Sequence, residues 1–198
     1  NSFLVPLNDS WYQAVEKEGR WRAINTVQQS GFYERYVAPL VNKGIKVCVI
    51  ISDGLRFEVG AELASRIESL DRHSAVTEPM LAMLPSYTQL GMAALLPQKA
   101  LSFAENGNVL ADGKPTIGRE NREKILKDKL DSKAIALDAE MVSTMKVDDL
   151  KELVRDNKVI YVYHNVIDKT GDARDSEERV FSACQTAIDE VSKLVRKF

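Results

Sequence analysis

The stretch VCVIISDGLRFEV, residues 47–59, decides the fold class of this chain. Its first half belongs to a near-continuous apolar run that begins at Ile45, which is typical of a strand buried on both faces of a parallel sheet. The run ends at Ser52, Asp53 and Gly54, and open α/β sheets bind ligands at the carboxyl ends of such strands. Asp53 therefore has two interpretations: a metal or phosphate role, or the N-cap of a helix expected from about Leu55.

Strands and helices alternate along the rest of the chain, which favours an α/β fold with a mostly parallel sheet flanked by helices. Helical patterning over 10–44, with Gly44 as its stop, indicates a helical lead-in segment, 1–44, before the domain 45–198. The Gly- and Asn-rich stretch 102–120 contains the turn signal Asp112-Gly113 and predicts a hairpin outside the core. We predict strands at 45–52, 73–77, 133–138 and 158–164, and helices near 88–95, 118–130, 146–156 and from about Ser176.

Composition excludes several classes of function. The 198 residues carry 27 Lys and Arg against 29 Asp and Glu, and this net charge of −2 does not support nucleic-acid binding through a bulk positive field. No apolar run approaches the roughly 18 residues that cross a bilayer, and no secretory signal opens the chain. Cys48 and Cys184 are expected to be inert core thiols, which suits the cytoplasm. Because the chain starts without Met and stops at Phe198 inside a helical pattern, we expect a piece of a longer protein.

Two further clusters of polar residues carry possible chemistry. LPSYTQLGM, residues 84–92, places Ser86 and Thr88 at the start of a helix, where a hydroxyl can act as a nucleophile or as an N-cap. YVYHNVIDKTGD, residues 161–172, follows another apolar strand. Its Asp168 and Asp172 suit a divalent cation, or the capping of the next helix together with Asp175, and its histidine is either functional or structural. Because the loops after parallel strands gather at one edge, we expect a shared site.

These segments, SDGLRFEVGAELASRI (52–67), LPSYTQLGMAALLP (84–97) and YVYHNVIDKTGD (161–172), resemble in order and spacing the PglZ domain. That domain is a branch of the alkaline phosphatase superfamily found in bacterial phage-exclusion (BREX) systems. The similarity runs from about Val47 to the end of the chain. It implies that 45–198 is the N-terminal part of an alkaline-phosphatase-like core that is C-terminally incomplete, with further metal ligands beyond residue 198.

The resemblance implies a two-metal, phosphatase-like site. Asp53 matches the first metal ligand, and Thr88, three residues before Gly91, matches the nucleophile that also meets a metal, with Ser86 as the alternative. Asp168 and Asp172 match the second metal motif, in which the superfamily has His at the last position. Aspartate there makes Mg²⁺ or Mn²⁺ as suitable as Zn²⁺.

The implied function is a metal-dependent phosphatase that acts on a phosphate ester in anti-phage defence. His164 and Asn165 are expected either to contact the phosphate or to order the loop, and Arg56 either neutralises phosphate charge or is a surface arginine on the first helical turn. Two alternatives stay open, namely a phosphodiesterase or nuclease acting on DNA, and a non-catalytic scaffold that keeps the fold. The expected partners are other phage-exclusion proteins and not a membrane. The isolated chain is expected to have little or no turnover.

Overall fold

Strands and helices alternate through the residues that the computed structural model describes, 2–71, 73–172 and 179–198. In chain order the elements are α1 (Leu4–Glu18), β1 (Val27–Gln28), a 3-10 turn (Gln29–Gly31), a π-helical turn (Tyr33–Val37), α2 (Ala38–Asn42), β2 (Val47–Ser52), α3 (Phe57–Glu68), β3 (Met80–Leu81), α4 (Thr88–Ala94), β4 (Leu101–Phe103), β5 (Val109–Ala111), β6 (Lys114–Pro115), α5 (Arg119–Lys129), β7 (Ala134–Asp138), α6 (Ala139–Thr144), α7 (Val147–Asp156), β8 (Val159–His164), α8 (Val166–Gly171) and α9 (Val180–Lys197).

The central sheet consists of three parallel strands in the order β2-β8-β7. Its middle strand, β8, is buried at every position except Tyr163, as the continuous apolar sequence predicts. Ser52 pairs with His164, and Asp138 pairs with Tyr163, so the three strands end at nearly the same level. The residues that follow β2, β8 and β7 therefore lie along one edge of the sheet.

Successive residues of β8 point to opposite sides of the sheet, and both sets are buried. Helices therefore cover both faces of the sheet. Val159 and Tyr161 pack with Leu126 of α5 and with Tyr33 of the π-helical turn. On the other face, core contacts join Ile160, Val162, Val142 of α6, Leu150 of α7 and Leu194 of α9. The α/β class and the mostly parallel sheet flanked by helices are confirmed.

The predicted strand over 73–77 is wrong. Residues 73–79 form no strand, and Val76 is 86% exposed. Parallel pairing occurs instead at Met80–Leu81, which lie beside Val27–Gln28. A strand needs a partner for its backbone N–H and C=O groups, and within the described residues 73–79 are not paired in any sheet.

The helical prediction for residues 10–44 is correct only in part. α1 ends at Glu18, and the chain has no regular helix again before the turns that begin at Gln29. Gly44 follows α2 with a φ of 77°, so the predicted stop is in place. The division of the chain between residues 44 and 45 stays a prediction. The predicted start of the last helix at Ser176 lies outside the described residues, and the described helix begins at Val180.

The segment before α5 is a small antiparallel sheet in the order β4-β5-β6, so the predicted hairpin is confirmed. Its predicted place outside the core is wrong, because Val109 and Ala111 of β5 are buried and belong to the core clusters. Its turn at Asp112 and Gly113 has φ values of 49° and 79°, the left-handed pair that a tight two-residue hairpin requires. Val109 of this sheet packs with Leu90 and Ala93 of α4. This small sheet therefore supports the helix that carries Thr88.

Within the described residues, no helix combines the length and the apolar character that crossing a membrane requires.

Candidate functional site

The ends of β2 and β8 bring Asp53 next to the loop that follows His164. The backbone N–H of Asp53 donates to the His164 carbonyl at 2.9 Å, which extends the sheet by one residue. The chain then turns at Gly54, whose φ is 75°. A Cβ at Gly54 would lie 3.1 Å from Ile167 Cγ2 and 3.3 Å from the backbone N of Asp168, so the turn packs directly against the start of α8.

Asp53 is not the N-cap of the following helix. α3 begins at Phe57, its N-cap is Arg56, and no side chain caps its first turn. The capping interpretation is therefore wrong, and the Asp53 carboxylate is not committed to holding α3.

The charges of Asp168 and Asp172 act on the carboxylate of Asp53. Burial raises the pKa of Asp53 above its usual range, and the negative charges of Asp168 and, more weakly, Asp172 raise it further. The Gly54 N–H and the positive charge of Arg122 oppose that rise. The structure thus places one carboxylate after β2 near two that belong to α8 and its end.

These carboxylates are oxygen donors, and oxygen donors are what Mg²⁺ and Mn²⁺ prefer. In the part of the chain that the structure describes, however, no three His, Cys, Asp or Glu side chains stand close enough together to hold a metal ion. The donor chemistry therefore fits a divalent cation, while residues 2–71, 73–172 and 179–198 do not by themselves assemble its coordination sphere.

His164 is buried, with 3% of its surface exposed, and both its ring nitrogens are engaged. Nδ1 lies 2.8 Å from Ser52 Oγ, and Nε2 lies 2.9 Å from Glu190 Oε2 on α9. An ionised carboxylate only accepts hydrogen bonds, so we assign the proton to Nε2 and let the Ser52 hydroxyl donate to Nδ1. This arrangement joins β2, β8 and α9, and it favours the interpretation in which His164 orders the site.

Thr88 is the first residue of α4, as the sequence predicts. The N-cap is Tyr87, with no side-chain capping bond, so neither Ser86 nor Thr88 caps this helix. Within the described residues, Thr88 forms no hydrogen bond or ion pair with Asp53, Asp168 or Asp172. The structure therefore places Asp53 within electrostatic range of Asp168 and Asp172 but does not show the Thr88 hydroxyl in contact with any of the three.

Gly91 provides the close approach that fixes α4 to the preceding chain. Gln29 Nε2 donates to the Gly91 carbonyl at 3.3 Å, and a Cβ at Gly91 would lie 3.3 Å from that same nitrogen. Gln29 Oε1 in turn accepts from the Met83 N–H at 3.1 Å. One side chain thus holds both α4 and the chain just before Ser86.

The two remaining candidates differ in position. Asn165 is the N-cap residue of α8 and lines a cavity of about 810 Å³ beside the sheet edge, together with His164 and Glu190. Arg56 is exposed and lines a different groove, between α3 and residues 73–78. The arginine whose charge acts on Asp53 is instead Arg122 of α5.

Sequence reasoning missed Arg122, Glu190 and Ser52 as members of this edge. Arg122 lies in the charged helix RENREKILKDK, where nothing distinguishes it from its basic neighbours. Glu190 occupies a polar position of the amphipathic helix α9. Of the three, Ser52 could have been found from the sequence, because it directly precedes Asp53 at the end of a buried strand.

A parallel α/β sheet with acidic residues at its carboxyl edge defines the general class of an open-sheet domain that binds ligands at that edge. Comparison with known proteins defines it further. Residues 32–198 match the model of the family described as "BREX system PglZ alkaline phosphatase-like domain", and the chain belongs to this family. The alkaline phosphatase-like superfamily generally uses divalent metal ions.

Two curated relatives align with essentially the whole chain. "Alkaline phosphatase-like protein BrxZ" of Escherichia coli O9:H4 (strain HS) is 41% identical over 204 aligned residues, which cover 100% of this chain and 23% of the relative. "Alkaline phosphatase-like protein PglZ" of Bacillus cereus (strain H3081.97) is 37% identical over 198 residues, 98% of this chain and 23% of that relative. The chain therefore spans about a quarter of the length of either relative.

Proposed function

We propose that this chain contributes to a metal-dependent phosphoryl-transfer hydrolase of the BREX system, with Thr88 as the nucleophile. The observation that carries this proposal is the electrostatic contact of Asp53 with Asp168 and Asp172 at the carboxyl edge of β2 and β8. A carboxylate at a ligand-binding edge whose pKa is raised by burial and by neighbouring negative charge is typical of sites that hold cations. Membership of an alkaline phosphatase-like family supports the same chemistry.

In this proposal Asp53 holds one divalent cation, and Asp168 with Asp172 holds the other. A bound pair of Zn²⁺, Mn²⁺ or Mg²⁺ ions would neutralise phosphoryl charge and lower the pKa of a coordinated hydroxyl or water. Because the described residues do not complete such a site, we propose that the remaining ligands lie outside the described residues. The chain covers 23% of the length of either relative, so part of this set can belong to the rest of a longer protein.

The reaction that we propose has two displacements at phosphorus. The Thr88 hydroxyl gives up its proton to solvent as its oxygen bonds to phosphorus. The bond from phosphorus to the ester oxygen breaks, and that oxygen leaves with the electron pair and takes up a proton. Water then attacks phosphorus, which releases phosphate and restores the Thr88 hydroxyl. Asn165, which lines the adjoining cavity, is proposed to contact the substrate.

The cellular part of the proposal is that the intact protein acts in the cytoplasm in anti-phage defence, together with other BREX proteins. The family description supports this placement because it names the BREX system.

The test uses the whole protein with Mg²⁺, Mn²⁺ or Zn²⁺ and two chromogenic substrates, a phosphomonoester and a phosphodiester. Thr88→Ala is expected to lower metal-dependent turnover on the order of 10³-fold or more, because a covalent nucleophile is lost. Ser86→Ala is the matched control, two residues away in the same loop, and is expected to keep turnover. The preferred ester distinguishes a phosphatase from a phosphodiesterase or nuclease.

Three results would contradict the assignment. Loss of turnover in Ser86→Ala but not in Thr88→Ala would move the nucleophile to Ser86. Turnover that survives both changes would exclude this covalent mechanism. A folded protein with no turnover on either ester with any of the three metals, whose Thr88→Ala variant still protects cells from phage, would establish the scaffold instead.

A further inference from the structure

Among the described residues, Arg122 has no salt-bridge partner, and it lies near the carboxyl end of β8. Its Cζ lies 4.1 Å from the centroid of the Tyr163 ring, and Tyr163 directly precedes His164 at the end of β8. The Nε of Arg122 is buried and has no hydrogen-bond partner among the described residues. No described carboxylate forms a salt bridge with this guanidinium, in contrast to its neighbour Arg119, which lies 3.3 Å from Asp138.

The attachment of α5 to the sheet does not depend on hydrogen bonds from Arg122. Arg119 donates to the Ala136 carbonyl at 2.7 Å, and Glu123 accepts from the Ala136 N–H at 3.0 Å. These two residues hold the first turns of α5 against β7 on their own. A buried donor that is left without an acceptor lowers stability, so an unpaired Arg122 Nε calls for an explanation beyond packing.

The position of Arg122 relative to the acidic residues supplies that explanation. Tyr163, on which Arg122 stacks, directly precedes His164, and the His164 carbonyl accepts from the Asp53 N–H at 2.9 Å, so the guanidinium lies near the same strand ends as Asp53, and the described residues show no ion pair between the two. A guanidinium at these strand ends that forms no salt bridge with a described carboxylate remains available to a bound anion. Its stacking on the ring of Tyr163 limits the orientations that it can take.

We propose that Arg122 binds the phosphoryl oxygens of the substrate, with the ring of Tyr163 holding the guanidinium in place. This inference rests on the proposed function, because it uses the same site at the ends of β2 and β8. A planar guanidinium presents paired N–H donors that match two oxygens of a tetrahedral phosphate, which an ammonium group cannot reproduce. Arg122 thereby takes the role that the sequence suggested for Arg56, which lines another groove.

The experiment measures equilibrium binding and turnover separately in the whole protein. Binding of inorganic phosphate is followed by titration calorimetry with Mg²⁺, Mn²⁺ and Zn²⁺ in turn, and turnover is followed with a chromogenic phosphomonoester. Arg122→Met is expected to weaken phosphate binding about 10- to 100-fold, because a charge-assisted hydrogen-bonding pair is lost. Arg122→Lys keeps the positive charge but not the paired N–H donors of the guanidinium, and it is expected to bind phosphate about 10-fold more weakly than the parent protein.

Two matched controls separate binding from folding. Arg119→Met removes the anchoring arginine one turn earlier and is expected to lower the melting temperature while phosphate affinity stays within about twofold of the parent. Arg155→Met removes an exposed arginine that pairs with Glu152 and Asp156, and is expected to change neither quantity. Addition of guanidinium ion to Arg122→Ala is expected to restore part of the lost binding, which a purely structural arginine would not show.

Each outcome decides the inference. Phosphate affinity that is unchanged in a folded Arg122→Met protein would overturn it, and so would an equal loss in Arg119→Met. A parent protein that does not bind phosphate with any of the three metals would also overturn it. Arg122-dependent phosphate binding without ester turnover would support the role of Arg122 and reject the proposed hydrolase, so the two failures are distinguishable.

Discussion

Replacing Gly54 with alanine is expected to destabilise the protein and to separate Asp168 from Asp53. Gly54 has a φ of 75°, and a side chain in this left-handed region costs about 1 kcal/mol. The new Cβ would lie 3.1 Å from Ile167 Cγ2 and 3.3 Å from the Asp168 backbone nitrogen. Ile167 is only 6% exposed, so relief requires a shift of α8, and overpacking of this kind costs about 1–3 kcal/mol. The expected loss of unfolding free energy is therefore about 2–4 kcal/mol.

Urea denaturation followed by tryptophan fluorescence measures this loss, with the slope of the transition as a check on two-state behaviour. Gly60→Ala is the matched control, because Gly60 lies within α3 and its added Cβ would meet only Leu55 Cδ2, at an ordinary 3.5 Å. That variant is expected to gain about 0.5–1 kcal/mol, since alanine favours the helix over glycine. A Gly54→Ala protein within about 0.5 kcal/mol of the parent would refute the close-packing argument.

Three other predictions concern buried or charged side chains. Glu190→Ala is expected to lower the unfolding free energy in urea by about 1 kcal/mol, because the buried His164 loses the acceptor of its Nε2 proton. Glu190→Gln keeps an acceptor and is expected to cost less. Equal losses in the two variants would contradict this explanation. Asp53 has a raised pKa, so the cost to folding of its ionised form develops as the pH rises through the usual aspartate range and is complete above the raised pKa, and Asp53→Asn without added metal is expected to be more stable than the parent at pH 7. This gain should vanish as the pH falls below the usual aspartate range, and a gain independent of pH would count against the charge explanation. Burial raises the pKa of Cys48 to about 12. In a Cys184→Ser protein, Cys48 in the native state should therefore react with a disulfide reagent at pH 8 far more slowly than in the unfolded chain. Equal rates would show that the thiol is accessible.

The sequence predicted the edge of the sheet because that edge depends on local patterns. The apolar run before Asp53 and the one before His164 each specify a buried strand, and parallel strands place their carboxyl ends together. The proximity of Asp53 and Asp168 follows from that topology without any knowledge of side-chain contacts.

Residues that join the site through space had no comparable signal. Arg122 and Glu190 lie on helices whose periodicity fixes which face is buried, but not which charged residue meets the end of a strand. The failure at 73–77 has a related cause, since composition predicts a segment that is able to form a strand, whereas a strand also requires a partner. Arg56 is close to Asp53 in sequence but is exposed at the start of α3 and lines another groove, which agrees with its interpretation as a surface arginine.

The electrostatics of the site and its proposed function are linked through Asp53. Its carboxylate is partly buried beside the charges of Asp168 and Asp172, and the Gly54 N–H and Arg122 offset only part of that repulsion. The arrangement lowers stability while the carboxylates face one another alone, so folding stability does not account for it. Divalent cations held by these carboxylates, as proposed above, would reverse the sign of this contribution, because positive charge would then offset the repulsion among them. The same three residues that cost stability in the isolated fold are therefore the ones through which added metal should stabilise the protein, and the metal-induced gain should be smaller in Asp53→Asn.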